Sequence, residues 1–269
     1  AAQIKNGVFQ PHSSFYFQTD RCAGSAPAVA IAAAASPGVP ASAEAAPAFE
    51  VARWIAPPVP ANSSPLPLLR KEFFLAARPA HATLRIVGLG DYDTLVNGRR
   101  IARTGINQPW SQYEKTIYYR DFDVASLVVP GTNCIGVMLA NSFWNNPDPP
   151  AGRYNKSGPQ RAADEPFRLC LELTLRASDG SLERIGSDAT WRTAEGPFTF
   201  SHIFAGEDYD ARLRLAGWDR AGFDDHAWSP ARVLAPPEAA LVRQHWPGIE
   251  PLLRSEERRV GKECIAVCR

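Results

Sequence analysis

Residues 167–176 read Phe-Arg-Leu-Cys-Leu-Glu-Leu-Thr-Leu-Arg, and this stretch has the clearest periodicity in the chain. Every second residue is large and hydrophobic, whereas most residues between them are polar or charged. Because the side chains of a β-strand point alternately to the two faces of a sheet, a period of two predicts a half-buried antiparallel strand. The pattern therefore directs Leu169, Leu171 and Leu173 toward a core and Cys170 and Glu172 toward the opposite face.

Shorter stretches of strand character lie on both sides of this one and are separated by turn residues. They cover residues 69–75, 82–88, 92–96, 115–122, 133–139 and 182–185. Asn97-Gly98 is a strong hairpin signal, because both central positions of that turn need a positive φ. No stretch of comparable length shows a helical period. Many short strands separated by turns predict an all-β fold, here an antiparallel β-sandwich.

The composition of the chain excludes two classes of partner. The formal net charge is only +1, and no basic stripe with interleaved aromatic residues occurs, so nucleic acid is not an expected partner. The chain contains no run of 18 or more apolar residues, so we expect no membrane span either.

The first 48 residues differ in composition from the rest of the chain. Residues 22–48 are dominated by alanine with scattered proline, glycine and serine, which bury too little apolar surface to order a segment. We therefore predict a disordered leader over residues 1–48. A remnant of a secretion signal is the alternative, since residues 28–35 are apolar and Ala41-Ser42-Ala43 is typical of a cleavage site. That alternative favours a secreted or periplasmic protein over a cytoplasmic one.

The last 16 residues, 254–269, allow two interpretations. One is a charged, solvated helix end. The other is an artefact, because Arg254 to Cys264 is similar to the translation of a common short-read sequencing adapter. The second interpretation predicts that the natural protein continues beyond about Leu253, and that residues 254–269 are to be left out of fold reasoning.

A series of motifs between residue 54 and about residue 235 is specific enough to indicate a family. The motifs are Gly88-Leu89-Gly90-Asp91-Tyr92, Val96-Asn97-Gly98, Trp110-Ser111-Gln112-Tyr113, Ser187-Asp188-Ala189-Thr190-Trp191, Gly206-Glu207-Asp208-Tyr209-Asp210-Ala211-Arg212 and Gly217-Trp218. In this order and spacing they resemble the N-terminal β-sandwich of bacterial α-L-rhamnosidases, which are glycoside hydrolases. The resemblance implies a galactose-binding-like jelly roll over residues 49–236 and the start of a following, truncated β domain over residues 237–253.

The resemblance also bears on function. In that family, catalysis belongs to a later (α/α)6 barrel, whose carboxylates act as general acid and general base of an inverting hydrolysis. No part of the barrel is present, so we assign no catalytic residue and expect no hydrolysis by this chain alone. The resemblance implies a non-catalytic accessory domain that supports or assists carbohydrate recognition. Its expected partners are rhamnosyl glycosides and the missing C-terminal domains. A stand-alone lectin-like module and a purely structural sandwich of another glycosidase remain as alternatives.

Candidate sugar-binding residues follow from the needs of sugar recognition, which combines an aromatic surface with a few polar groups. The loop that follows Leu139 contains such residues. We predict a sugar-binding role for Asn141, Trp144, Asn145, Tyr154 and Trp110. For Trp144 the alternative is packing against a neighbouring domain, and for Trp110, which is paired with Tyr113 in sequence, the alternative is packing in the core or a turn.

Metal binding has little support in the sequence. Asp91 and Asp93 could contribute carboxylate oxygens to a calcium site. However, Leu89-Gly90-Asp91 stands where the resemblance implies an Asp-Asn pair, and a solvated hairpin rim is the alternative. The five histidines show no metal-ligand spacing. We therefore expect neither a metal site nor a cofactor.

Two further groups of residues invite a structural interpretation. Asp208, Asp210 and Arg212 share one face of a strand, which suits an ion-paired structural joint better than a catalytic acid and base. Cys134 and Cys170 lie in separate predicted strands, and the sequence leaves open whether they form a disulfide.

Overall fold

The structure is a computed structural model. It describes residues 48–58, 66–102, 105–149, 151–153 and 167–249, together with the two short strands β1 (Ile4–Lys5) and β2 (Val8–Phe9). Most of the predicted leader, the whole of the 254–269 tail and Tyr154 lie outside the described residues.

The described part of the chain is an all-β protein, as predicted. The remaining strands are β3 (Trp54–Ala56), β4 (Pro67–Leu75), β5 (His81–Leu89), β6 (Asp91–Val96), β7 (Arg99–Arg100), β8 (Thr116–Asp123), β9 (Gly131–Ala140), β10 (Arg168–Arg176), β11 (Leu182–Gly186), β12 (Arg192–Glu195), β13 (Phe198–His202), β14 (Gly206–Tyr209), β15 (Ser229–Pro230), β16 (Arg232–Leu234) and β17 (Ala240–Arg243). The one helical segment within the described ranges is a 3-10 turn at Ala211–Leu213. No helix in these ranges has the length and hydrophobicity needed to cross a membrane.

Two sheets packed face to face form the sandwich. The first sheet has the order β16-β3-β10-β5-β8-β17, with β11 also paired to β10. The second sheet has the order β15-β12-β4-β9-β6-β7. The Asn97-Gly98 turn joins β6 to β7 as predicted, and both residues have a positive φ, 52° and 77°.

The main core fills the space between the two sheets. The alternation of residues 167–176 is confirmed, because Phe167, Leu169, Leu171, Leu173 and Leu175 all belong to this core. They meet β9 side chains of the second sheet such as Val137 and Leu139, together with the fully buried Trp191. The indole nitrogen of Trp191 donates a hydrogen bond to the carbonyl of Gly186.

The opposite face of the first sheet is also buried, although the prediction of a half-buried strand left this face exposed to solvent. A second hydrophobic cluster includes Cys170, Trp54, Val87 and Trp144. Glu172 is buried as well, and its Oε2 accepts hydrogen bonds of 2.7–3.2 Å from the backbone N–H groups of residues 50–52. Segments distant in sequence cover this face, and the local period of the strand carries no information about them.

The edge of the first sheet contains the one parallel pairing between the described strands. β17 runs parallel to β8, with Ala240 beside Thr116 and Arg243 beside Tyr119. Residues 240–243 therefore extend the first sheet, although they follow the predicted boundary at residue 236. The assignment of residues 237–253 to a further domain stays a prediction.

A third, small sheet has the order β1-β2-β14-β13. Its β13–β14 hairpin is joined to the end of β9, since the backbone N–H of Asn141 donates to Oγ of Ser201 and its side-chain amide donates to the Ser201 carbonyl. In β9, Val137 and Leu139 point into the core, so Met138 and Ala140 point to the outer face of the second sheet. The hairpin lies beside that outer face.

Candidate functional site

A pocket of about 520 Å³ lies between the outer face of the second sheet and the β13–β14 hairpin. Strands β6 and β9 contribute Asp91, Met138 and Ala140, and β13 contributes Phe198 and His202. The segment 105–107 closes another side. The full lining consists of Leu66, Asp91, Tyr92, Asp93, Arg100, Gly105, Ile106, Asn107, Met138, Ala140, Ser142, Phe198, Ser201, His202, Ile203, Gly206 and Glu207.

The sheet register explains why β6 and β9 present these residues. Asp91 pairs with Ala140 and Asp93 with Met138, so that residues with outward-pointing side chains lie side by side. The sharp connection from β5 to β6 depends on Gly90, which has a φ of +61°. A Cβ atom at position 90 would lie 1.6 Å from the carbonyl oxygen of Ala140. Only glycine allows the chain to turn here and place Asp91 at the pocket.

Asp91 stabilises one wall of the pocket through hydrogen bonds to backbone N–H groups. Its Oδ1 accepts hydrogen bonds from the backbone N–H groups of Tyr92 at 2.8 Å, Asn107 at 2.9 Å and Gln108 at 3.0 Å. Enclosure by protein raises the pKa of Asp91 to about 6, although these three hydrogen bonds favour the ionised form. Within the described residues no hydrogen bond reaches Oδ2, so this oxygen is available as an acceptor.

Asp93, the neighbouring carboxylate, forms an ion pair. Its Oδ2 lies 2.8 Å from Nη2 of Arg100. The described residues contain no group of three or more His, Cys, Asp or Glu side chains that could hold a metal ion. Asp91 is also not part of a solvated rim, because its Oδ1 joins β6 to the segment that contains Asn107 and Gln108.

His202 provides a buried donor in the pocket wall. Its side chain is 5% exposed, and its Nδ1 accepts hydrogen bonds of 3.0 Å from the backbone N–H groups of Phe204 and Ala205. Since Nδ1 acts as an acceptor, the ring is neutral and its proton is on Nε2. Burial lowers the pKa of His202, which also favours the neutral ring. Nε2 is buried and makes no hydrogen bond in the described part of the chain.

Ser142 adds a second polar group to the pocket. Its Oγ is buried and is likewise without a hydrogen-bond partner among the described residues. Buried polar groups in proteins nearly always have a partner. The N–H of His202 and the hydroxyl of Ser142 are therefore groups that a ligand hydroxyl could satisfy, with Oδ2 of Asp91 as a further acceptor.

The structure separates the five predicted sugar-binding residues. Asn141, Trp144 and Asn145 are all buried, with 4%, 6% and 5% of their surface exposed. The Oδ1 atom of Asn141 accepts a hydrogen bond of 2.8 Å from Nδ2 of Asn145. The Trp144 ring packs edge-to-face on Tyr113, with ring centroids 5.2 Å apart. These contacts fix the loop after β9 to the sandwich.

Trp110 is the one of the five with an exposed side chain in the described residues. It is 72% exposed and is stacked on Phe143, with ring centroids 5.9 Å apart and an interplanar angle of 18°. A sugar-binding role for Trp110, Asn141, Trp144, Asn145 and Tyr154 stays a prediction. Sequence reasoning missed His202 and Ser142, because neither lies in a motif and their pocket forms only when β13 meets β9.

The predicted ion pair between Asp210 and Arg212 is present, with their charged groups 2.5 Å apart. The predicted shared strand face is wrong, because β14 ends at Tyr209 and Asp210 caps the 3-10 turn that contains Arg212. The hydrogen bond from Arg212 lowers the pKa of Asp210 to about 2. Asp208 pairs instead with Arg153, at 2.6 Å. The guanidinium of Arg153 also lies over the ring of Phe200, which connects the loop after β9 to the β13–β14 hairpin.

Comparison with known proteins shows one consistent family. Residues 77–252 match the sequence profile described as the alpha-L-rhamnosidase N-terminal domain. The chain is 37% identical over 165 residues to an alpha-L-rhamnosidase of Streptomyces avermitilis, covering 61% of this chain and 15% of that protein. It is 32% identical over 188 residues to one of Formosa agariphila, covering 68% and 19%. The chain thus spans less than a fifth of the length of these relatives.

Solved structures agree with this result. The structure of the Streptomyces avermitilis alpha-L-rhamnosidase complexed with L-rhamnose is 35% identical, with a TM-score of 0.58 over 64% of this chain and 16% of that one. The alpha-L-rhamnosidase from Dictyoglumus thermophilum is 28% identical, with a TM-score of 0.62 over 74% of this chain and 23% of that one.

Proposed function

The chain belongs to the family of α-L-rhamnosidase N-terminal domains, and from this premise we propose that it is a non-catalytic accessory domain whose pocket binds a sugar. An α-L-rhamnosidase that carries this domain would hydrolyse terminal α-L-rhamnosyl groups of plant glycosides or polysaccharides. In that protein this domain would hold a rhamnosyl unit of the substrate while a later domain performs the hydrolysis.

Asp91 and Asp93, the two acidic residues that β6 contributes to the pocket, do not suit catalysis as a pair. Inverting hydrolysis needs a general acid and a general base on opposite sides of the scissile bond, with a water between one of them and the sugar. Asp91 and Asp93 are alternate residues of one strand, so both lie on the same side of any ligand in the pocket. Asp93 is also ion-paired to Arg100. Binding is therefore the chemistry that this pair supports.

The observation that supports sugar binding best is the buried, unpaired Nε2–H of His202 in the pocket wall. With the hydroxyl of Ser142 and Oδ2 of Asp91, the pocket offers a donor, a group that both donates and accepts, and an acceptor. Met138 and Phe198 add apolar surface beside them. Rhamnose, a 6-deoxy sugar, presents hydroxyls together with a methyl group, and so it matches a lining of this mixed character.

Isothermal titration of the chain with L-rhamnose and with methyl α-L-rhamnoside tests this proposal. The most informative variant is His202→Asn, because an asparagine Oδ1 can replace Nδ1 as acceptor for Phe204 and Ala205 while the Nε2–H is removed. We expect binding to weaken about 5- to 10-fold, which corresponds to one lost hydrogen bond. His226→Asn is the matched control, since the His226 side chain is 95% exposed and lies outside the pocket lining.

Two further variants separate the pocket from the exposed aromatic stack. Ser142→Gly removes the hydroxyl and relieves a φ of +47°, so it should weaken binding without loss of fold. If the sugar lies in the pocket beside His202, Trp110→Ala should leave the affinity unchanged. Binding that is lost in Trp110→Ala and kept in His202→Asn would place the sugar on the Trp110–Phe143 stack instead. A chain that binds neither sugar would have a purely structural role.

A further inference from the structure

A second pocket, of about 200 Å³, adjoins the first one on the outer face of the second sheet. Asp93, Arg100, Met138 and Phe198 line both pockets. Ligand sites for independent small molecules usually have volumes of about 300–1,000 Å³. A pocket below that range that shares its wall with a larger one is better understood as an extension of it.

Aromatic side chains line the second pocket. Phe198 and Tyr209 are paired across the β13–β14 hairpin, and their rings pack edge-to-face with centroids 5.0 Å apart. Trp218 lines the same pocket, and its ring lies against β9 at Gly136, where a Cβ atom would be 2.8 Å from it. Aromatic rings with one exposed side suit the apolar faces of a sugar ring.

Two of the charged side chains that line the second pocket, one donor and one acceptor, have no partner within the described residues. The Arg214 guanidinium and the Asp219 carboxylate line it, and neither forms a hydrogen bond or an ion pair within the described residues. Arg100 and Asp93, which also line it, neutralise each other. Sugar hydroxyls both donate and accept hydrogen bonds, so they can satisfy Arg214 and Asp219 together. The balanced charge favours a neutral sugar over one that bears a carboxylate.

We infer that the two pockets form one groove for an oligosaccharide, in which the second pocket holds a neutral sugar adjacent to the rhamnosyl unit beside His202. This inference rests on the proposed function, because it extends the same site by one sugar. It assigns to Arg214 and Asp219 the contacts with that second sugar. The domain would then distinguish an α-L-rhamnosyl group within a larger glycan from free rhamnose.

The test compares methyl α-L-rhamnoside with disaccharides in which α-L-rhamnose is joined to D-glucose through different linkages, titrated into the 269-residue chain. We expect at least one disaccharide to bind about 10-fold more tightly than the monosaccharide, which is the gain expected from about one or two added hydrogen bonds. Arg214→Gln should remove most of this gain and leave monosaccharide affinity unchanged. Arg232→Gln, an exposed arginine of β16 on the other sheet, is the matched control and should retain the gain.

Each outcome has a separate meaning. Equal affinity for the monosaccharide and every disaccharide would overturn the extended groove and leave the proposed sugar site intact. A gain that survives Arg214→Gln would overturn the role of the second pocket. Tighter binding of a rhamnosyl uronic acid than of the neutral disaccharides would overturn the neutral class. If neither monosaccharide nor disaccharide binds, both the groove and the proposed function are wrong.

Discussion

Arg70 of β4 donates a hydrogen bond from Nη1 to Oδ2 of Asp225, which lies 155 positions further along the chain. Only 1% of the Arg70 side chain is exposed. The same guanidinium donates to the backbone carbonyls of Trp218 at 2.8 Å and Arg220 at 2.9 Å, and to Glu72 at 2.5 Å. One buried cation therefore holds the loop that contains Trp218 and Asp219 against the second sheet, next to the smaller pocket.

Replacing Arg70 should lower stability strongly. Arg70→Met removes the cation and leaves two carboxylates and two carbonyls without their donor, so we expect a loss of about 3–5 kcal/mol in the free energy of unfolding. Asp225→Asn keeps an acceptor for the guanidinium and should cost only about 1–2 kcal/mol. Urea denaturation of the three chains measures both values. A loss below about 1 kcal/mol for Arg70→Met would show that the loop is held by other contacts.

Asp91 should make stability depend on pH. Its folded pKa of about 6 lies above the value of about 3.9 that is usual for an unfolded chain. Between those values the folded state keeps a proton that the unfolded state has lost, so stability falls as pH rises through this window. Asp91→Asn keeps the Oδ1 acceptor without the charge. It should be more stable than the unaltered chain at pH 7.5, by about 1–3 kcal/mol, and no more stable at pH 4.

Thermal unfolding at several pH values between 4 and 7.5 checks this prediction. Asp179→Asn is a control of opposite sign, because hydrogen bonds from Ser181 lower the pKa of Asp179. That substitution should reduce stability more at pH 7.5 than at low pH. A stability difference for Asp91→Asn that does not change with pH would contradict the raised pKa.

Alanine substitutions at Gly90 and Gly131 should separate the cost of backbone strain from the cost of steric overlap. Both have a positive φ, +61° and +97°, but a Cβ at Gly131 would meet nothing within 4 Å, whereas one at Gly90 would overlap the Ala140 carbonyl. Gly131→Ala should cost about 1–2 kcal/mol from its conformation alone. Gly90→Ala should cost more than that, and it should also weaken sugar binding, because Asp91 follows directly. Equal losses in urea denaturation would argue against the close approach of Gly90 to β9.

The two described cysteines should be unreactive in the folded protein. Cys134 and Cys170 are both free and buried, and burial raises their pKa values to about 11 and about 12. The reactive thiolate is therefore scarce at neutral pH. In a variant with Cys22, Cys264 and Cys268 replaced by serine, a thiol reagent should label neither residue until urea is added. Fast labelling of the folded variant would show that one strand is more accessible than the structure indicates.

The sequence by itself determined the features that depend on near neighbours. The alternation of residues 167–176 identified the core face of β10, because successive side chains of a strand must point in opposite directions. Asn97-Gly98 identified a hairpin, since few other residue pairs accept positive φ twice. The Asp210–Arg212 ion pair also joins near neighbours, but it forms because Asp210 caps the 3-10 turn that contains Arg212, and not because the two residues share a strand face.

Only the tertiary structure decided what covers each face and which groups meet at the pocket. Cys170 and Glu172 occupy alternate positions that suggest an exposed face, yet distant segments bury both. Asp91 receives N–H groups from residues 16 and 17 positions away, and His202 reaches the pocket only because β13 lies beside β9. Such contacts arise from the packing of whole segments, and the identity of a residue and its immediate neighbours does not specify which distant segment packs against it.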